Sequence, residues 1–342
     1  MSNRNSSFAR FGLVVFIGLL FVLATMYVSL TNGMFDISVK DVFRTLLGLE
    51  TNEDYRLVIF EFRLPRIVLA ALVGAALGMA GAVIQGITRN GLADPGILGI
   101  NAGAGMTVVL FMFFFQGQVT FTGWLGVMLM PLFGLAGGIA ATLCMYAFAR
   151  QQGRLDPQRL VLVGIAIASG FGAVTLFISL KMNPRDYEAA VSWLAGSLHG
   201  ANWRFVVTML PWMLVLPLCI WLRSKQLDIY QLGEDSARSS GVAVEREKNF
   251  LLLCSIGLVS AGVSVSGSIG FIGLIAPHLA RRLVGLGHKY MLPVSGILGM
   301  AMVVIGDFIG KTLFAPAELP VGIVVSIIGV PYFVYLMIRT RN

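Results

Sequence analysis

The sequence predicts an all-α polytopic membrane protein, with about ten transmembrane helices and an inverted internal repeat. Three observations carry that expectation. The 342 residues are 57% apolar and only 12% charged, against about 45–50% and about 25% in a soluble domain. Mean hydropathy is +0.83. The charged residues fall between apolar stretches of about 20 residues, the length that crosses a bilayer core. A secreted domain, a cytosolic enzyme and a disordered binder are excluded. The net charge of +8 fits the Lys/Arg excess of cytoplasmic loops. It does not point to nucleic acid, because no basic run alternates with aromatics that would stack on bases.

The expected spans follow in order. Arg4 and Arg10 precede the first, 11–31, which exceeds the ~7–15-residue apolar core of a cleaved signal and reads as a retained anchor. The second, 65–88, opens at Pro65, a residue suited to a first helical turn. Then come 93–115, 124–149, 159–181, 202–223, 249–267, 269–287, 291–313 and 320–338. The third and eighth each follow a neighbour across a tight glycine-containing turn, which leaves nine and eleven as alternative counts. The whole of 1–342 reads as one transmembrane domain, with its longest inner loop at 224–248. Ten spans put both termini on one side, and sixteen of the 25 Lys and Arg residues share that side. The positive-inside rule places it in the cytoplasm.

Two segments echo one another. Ala80-Gly81, Gly86 and Pro95 have the spacing of Ala261-Gly262, Gly267 and Pro277 to within one residue. Five spans separate the copies, so they face opposite ways, as in transporters whose halves rock about a central path. Glycines four apart (Gly74/Gly78, Gly99/Gly103, Gly134/Gly138, Gly306/Gly310) let helix backbones approach closely and suit a compact bundle.

Enzymatic chemistry has little to stand on. Gly306, Gly310, Lys311 and Thr312 imitate a phosphate loop, but the spacing is one residue short and no strand precedes them. ATP, if used, is bound by another chain. His278 and Asp307 are the ionisable groups inside spans, and His199 and His288 fall in loops. No nucleophile has an orienting partner. Cys144, Cys219 and Cys254 lie in apolar stretches without metal-ligand spacing and read as small hydrophobes. No metal or cofactor is expected. An ion-gradient-driven carrier is the competing class, although it needs buried carboxylates and Asp307 stands nearly alone.

The loops carry more. Residues 229–242 place apolar and small residues at helical spacing on both sides of Gly241. Two short amphipathic helices joined at that glycine can dock in a groove on a cytoplasmic partner; an interfacial helix on the membrane is the plainer reading. The large outer loops are 32–62 and 182–201. Arg63 and Arg66 stand at the mouth of span two, where they either anchor the helix to lipid phosphates or form bidentate pairs with carboxylates of a docking protein.

At these residues the chain resembles a known family. Arg63-Leu64-Pro65-Arg66 through Gly81, Gln85, Asn90 and Ala93-Asp94-Pro95-Gly96 is similar to the signature of bacterial ABC importer permeases for iron–siderophores and cobalamin. So are Leu232-Gly233-Glu234, Ala237-Arg238 and Gly241; Gly270-Phe271-Ile272-Gly273 with Pro277-His278; and Glu318-Leu319-Pro320-Val321-Gly322. The resemblance implies a subunit of the type II importer fold. It would pair with a second copy or a paralogue, be driven by two cytoplasmic ATPase subunits, and be fed by an extracytoplasmic binding protein. It assigns Leu232, Gly233, Glu234, Ala237, Arg238 and Gly241 to ATPase coupling. Arg63, Arg66 and Lys311 match basic positions that hold acidic residues of the binding protein. Lys311 stands where the best-known relative has Arg, and so keeps the charge without the planar fork. Asp156, Pro157 and Gln158 match an inner gate where relatives place small hydroxyl residues. The implied cargo is a ferric siderophore, with cobalamin or haem as alternatives. The implied location is the cell membrane.

Overall fold

The computed structural model describes residues 2–33, 37–50, 52–115, 123–151, 154–155, 157–231 and 244–339. Helices occupy nearly all of this. Arg150–Gln151 and Arg154–Leu155 pair as a two-residue antiparallel ladder. The helices are α1 (Ser2–Thr31), α2 (Val39–Leu46), α3 (Glu53–Leu57), a π-helical stretch (Val58–Arg63), α4 (Leu64–Thr88), a 3-10 turn (Pro95–Leu98) and α5 (Ile100–Phe115). They continue with α6 (Gly123–Ala149), α7 (Pro157–Ser179), α8 (Pro184–Leu194), α9 (Trp203–Leu222), α10 (Ser224–Gln231) and α11 (Val244–Ser266). The last three are α12 (Ile272–Val284), α13 (His288–Thr312) and α14 (Val321–Arg339).

Among the described residues, seven stretches are long and apolar enough to cross a membrane: α1, the continuous run from Glu53 to the end of α4, α6, α7, α9, α11 and α13. Helices α5 and α14 are shorter and apolar. A helix lies within each of the ten expected segments, but two are truncated. Residues 93–99 do not join α5. Asp94 instead caps the 3-10 turn by accepting from the Gly96 N–H at 2.7 Å, and Gly99 turns the chain at φ +80°. Helix α12 has 13 residues, about 20 Å at 1.5 Å per residue, which is too short for a core about 30 Å thick. Its entry is broken by positive φ at Gly267 and Phe271, and Gly285 ends it. Ten is therefore an approximate count of spans.

Helix α4 is the centre of the bundle, with nearly every residue after Leu72 buried. Helices α11, α12 and α13 surround it. Its small residues explain the closeness: a methyl group on Gly74 would overlap the Gly299 carbonyl, and one on Gly78 the carbonyl of Ser295. The glycine pair expected to bring backbones together does so between α4 and α13. The two echoing segments begin in α4 and α11, which are also neighbours, and run on to Pro95 in the 3-10 turn and to Pro277 in α12. Helices α1, α7 and α9 instead leave large apolar side chains exposed, among them Phe16, Phe177 and Leu214. That is the pattern of helices facing lipid or a further subunit.

Candidate functional site

At one end of the bundle the π-helical stretch delivers Arg63 and the first turn of α4 delivers Arg66. Arg66 is engaged by two carboxylates of its own chain. Its Nε donates to both Asp307 oxygens at 3.0 Å and its Nη2 to Oδ1 at 2.8 Å. Its Nη1 donates to Glu318 at 2.9 and 3.1 Å. Asp307, on α13, is 3% exposed, whereas Glu318, in the loop before α14, is 30% exposed. Arg63 is buried, with Nη1 donating to the Leu30 carbonyl at 2.7 Å. Lys311 Nζ donates to the carbonyl and hydroxyl oxygens of Ser29 at 2.9 and 2.8 Å, which ties α13 to α1. Arg63, Arg66, Lys311, Glu318 and His199 all line one open cleft of about 610 Å³. Burial alone would raise the Glu318 pKa, but the Arg66 charge and hydrogen bonds outweigh it, with His199 adding to them, and hold the carboxyl below its ordinary value.

The three basic residues singled out in the sequence are thus brought together. Arg66 does pair bidentately with carboxylates, but with those of its own chain, a pairing not expected from the sequence. Asp307, isolated in the sequence, is the partner. The separation of 241 residues between them leaves no local signal of the pair. Lys311 and Thr312 close the helix α13, so the imitation of a phosphate loop is helical. Among the described residues no group of three or more His, Cys, Asp or Glu side chains is placed to hold a metal ion.

The opposite end gathers the neighbours of the expected coupling segment. Leu232, Gly233, Glu234, Ala237, Arg238 and Gly241 lie outside the described residues, as does Asp156. Pro157 opens α7, and Gln158 follows it on an exposed face. The loop expected over 224–248 is shortened by helix at both ends, α10 and the start of α11. His288, expected in a loop, is the first residue of α13 and is completely buried. The correction has a local cause: Gly287 lies in extended backbone just ahead of it and serves as the N-cap. The Asp228 carboxylate on α10 accepts from the His288 backbone N–H at 2.8 Å and from its ring Nδ1 at 2.7 Å. Since Asp228 can only accept, Nδ1 carries the proton. Neither residue stood out in the sequence, because no spacing rule connects them.

The FecCD transport family matches residues 19–339. The chain belongs to the FecCD transport family. It is 51% identical over 322 residues to the iron-uptake system permease protein FeuC of Bacillus subtilis (strain 168), covering 94% of this chain and 96% of the relative. It is 42% identical to the iron(3+)-hydroxamate import system permease protein FhuG of the same organism, covering 96% and 97%. Among solved structures, an inward-facing conformation of a metal-chelate type ABC transporter superimposes with a TM-score of 0.83 at 28% identity, over 96% of this chain and 99% of that one. The FecCD chain described here is a multi-pass membrane protein and a permease subunit of the ABC importer class, whose members work with ATPase and binding-protein partners.

Proposed function

We propose that this permease carries ferric siderophore complexes across the cell membrane into the cytoplasm. It does so as half of a pathway completed by a second copy or a paralogue. Two separate cytoplasmic ATPase subunits supply the energy, and this chain has no nucleotide site of its own. An extracytoplasmic binding protein delivers the cargo. The carrying observation is the near-full-length likeness to permeases whose names specify iron uptake and iron(3+)-hydroxamate import.

The geometry supports the assignment of ends. The cleft of Arg63, Arg66 and Lys311 is the proposed docking face for acidic side chains of the binding protein. The segment holding Leu232, Gly233, Glu234, Ala237, Arg238 and Gly241 is the proposed ATPase contact, and Asp156, Pro157 and Gln158 are the proposed inner gate. Both termini are then cytoplasmic. An open groove of about 690 Å³, lined by Ser268, Gly270, Gly322, Ser326 and apolar residues, carries no charged side chain. A bulky polar complex passes most readily along a surface that does not hold it tightly, with affinity left to the delivering protein.

The test is ATP-dependent accumulation of radiolabelled cargo, with labelled iron in the chelates and haem and labelled cobalt in cobalamin, in proteoliposomes holding the permease, its ATPase and its binding protein. Hydroxamate, catecholate and citrate chelates, cobalamin and haem are compared as cargo. Accumulation of a ferric siderophore only with ATP inside supports the reading. Accumulation by this chain alone, driven by an ion gradient, refutes it.

A further inference from the structure

Helices α4 and α13 touch along their whole shared length in one antiparallel register. Arg66 grips Asp307, Gly74 meets Gly299, Gly78 meets Ser295, and Gly86 meets His288. In the middle of that series backbone lies on backbone, with no side chain between. Such close packing resists sliding and transmits displacement. Helix α13 has 25 residues, about 37 Å, enough to cross a core about 30 Å thick.

At the His288 end this beam is held by the helix that leads into the 232–243 segment. Asp228 of α10 takes both the backbone and ring N–H of His288. Trp221, at the end of α9, donates from Nε1 to the Lys289 carbonyl at 3.1 Å. Leu227 is fully buried beside Gly86. Tyr230 donates its hydroxyl to the Val244 carbonyl at 2.9 Å, so the two stems of the segment are tied together at its neck.

We infer that Asp228 and His288 are positioning residues: they form the clamp through which the 232–243 segment moves α13, and through the α13–α4 beam the Arg66 cleft at the far end. This rests on the proposed ATPase contact of that segment. Because coupling between two sites is reciprocal, events at the cleft alter the ATPase end by the same route.

The experiment uses the full complex of permease, ATPase and binding protein in lipid nanodiscs. The readout is the ratio of ATP hydrolysis with cargo-loaded binding protein to hydrolysis without it. Asp228→Ala and His288→Ala are expected to lose most of the stimulation and bring that ratio close to one. His288→Asn, whose amide N–H takes the place of Nδ1–H, is expected to restore most of it, which a general loss of packing would not allow. Asp228 is 40% exposed, so Asp228→Leu, which keeps the shape but accepts neither bond, folds even if His288→Ala does not, and it lowers the ratio by itself. An unchanged ratio in the Asp228 variants overturns the clamp. If the wild-type permease captures no ATPase at all, the coupling reading beneath it fails instead.

Discussion

Asp307→Asn removes one charge from the buried side of the Arg66 cluster and leaves the shape unchanged. Asp307 is 3% exposed and takes three short contacts from the guanidinium. Breaking a buried ion pair by removing one partner costs about 3–5 kcal/mol, because the other charge is left without compensation. Here Glu318 still holds Nη1, and the asparagine oxygen accepts one bond. The loss therefore falls nearer that of a charged hydrogen bond, about 2–3 kcal/mol. Glu318→Gln acts on the exposed side of the same guanidinium and costs about 1 kcal/mol or less. The assay is thermal unfolding of the purified permease in one detergent, with the two variants measured side by side. Replacing both buried partners, Arg66→Met with Asp307→Leu, is expected to recover much of the loss, as apolar substitutes for a buried pair commonly do. Equal melting temperatures for Asp307→Asn and Glu318→Gln would refute the division into a buried and an exposed arm.

Glu318 has a lowered pKa in the folded protein, so its contribution to stability is present above its ordinary value of about 4.3 and is lost as pH falls through the lower folded value. The melting-temperature gap between wild type and Glu318→Gln is accordingly constant from pH 8 to about 6 and closes in acid below about 4; a gap that widens in acid contradicts the pairing. Gly299→Val places a branched side chain into the Gly74 carbonyl and is expected to cost about 1–3 kcal/mol by overpacking. Gly170→Ala in α7, where nothing lies within 4 Å, is expected to be neutral or stabilising by up to about 1 kcal/mol; comparable losses in thermal unfolding would disprove the backbone contact. Gly241→Pro should uncouple transport, with ATP hydrolysis continuing while iron accumulation in proteoliposomes stops; unimpaired uptake in that variant counts against a glycine turn in the coupling segment.

Much of the fold is legible because a bilayer imposes its own punctuation. Charged residues cannot sit in hydrocarbon cheaply, so Arg89, Arg150 and Arg223 mark where helices stop and Lys289 where α13 starts. The truncated α5 and α12 escaped that reading for a physical reason. Apolar residues at 93–99 and 267–271 look like membrane-buried helix by hydropathy alone. Whether such a stretch is helix or buried loop is decided by positive φ at Gly99, Gly267 and Phe271 and by caps such as Asp94. The cleft was legible only as separate residues. Arg63, Arg66 and Lys311 stand out as cations at helix mouths. Asp307 looked like a lone intramembrane acid until α4 and α13 were seen to run side by side. His288 and Asp228 are ordinary polar residues near a loop, and only the docking of α10 on the start of α13 gives them a joint role.

The pairing of Arg66 within its own chain alters what a docking test should measure. Charge reversal at Arg63 or Arg66 would set a new carboxylate against Leu30 O, Asp307 or Glu318, so lost uptake would report misfolding as readily as lost docking. Glu318 is the better handle. On the proposed docking role, an incoming acidic side chain meets Arg66 from the cleft, where Glu318 already holds the exposed side of the guanidinium while Asp307 is buried. The exchange swaps one carboxylate for another, so it adds little affinity but selects for a partner with an acid at that point. Glu318→Gln removes the resident competitor while keeping its volume. Binding of the extracytoplasmic protein to the variant in nanodiscs should therefore tighten by about five- to tenfold, about 1–1.4 kcal/mol, and the gain should shrink at high salt as an exposed electrostatic effect does. Weaker binding by Glu318→Gln would mean that Glu318 itself faces the partner, and that the cleft is read through its carboxylate and not through Arg66.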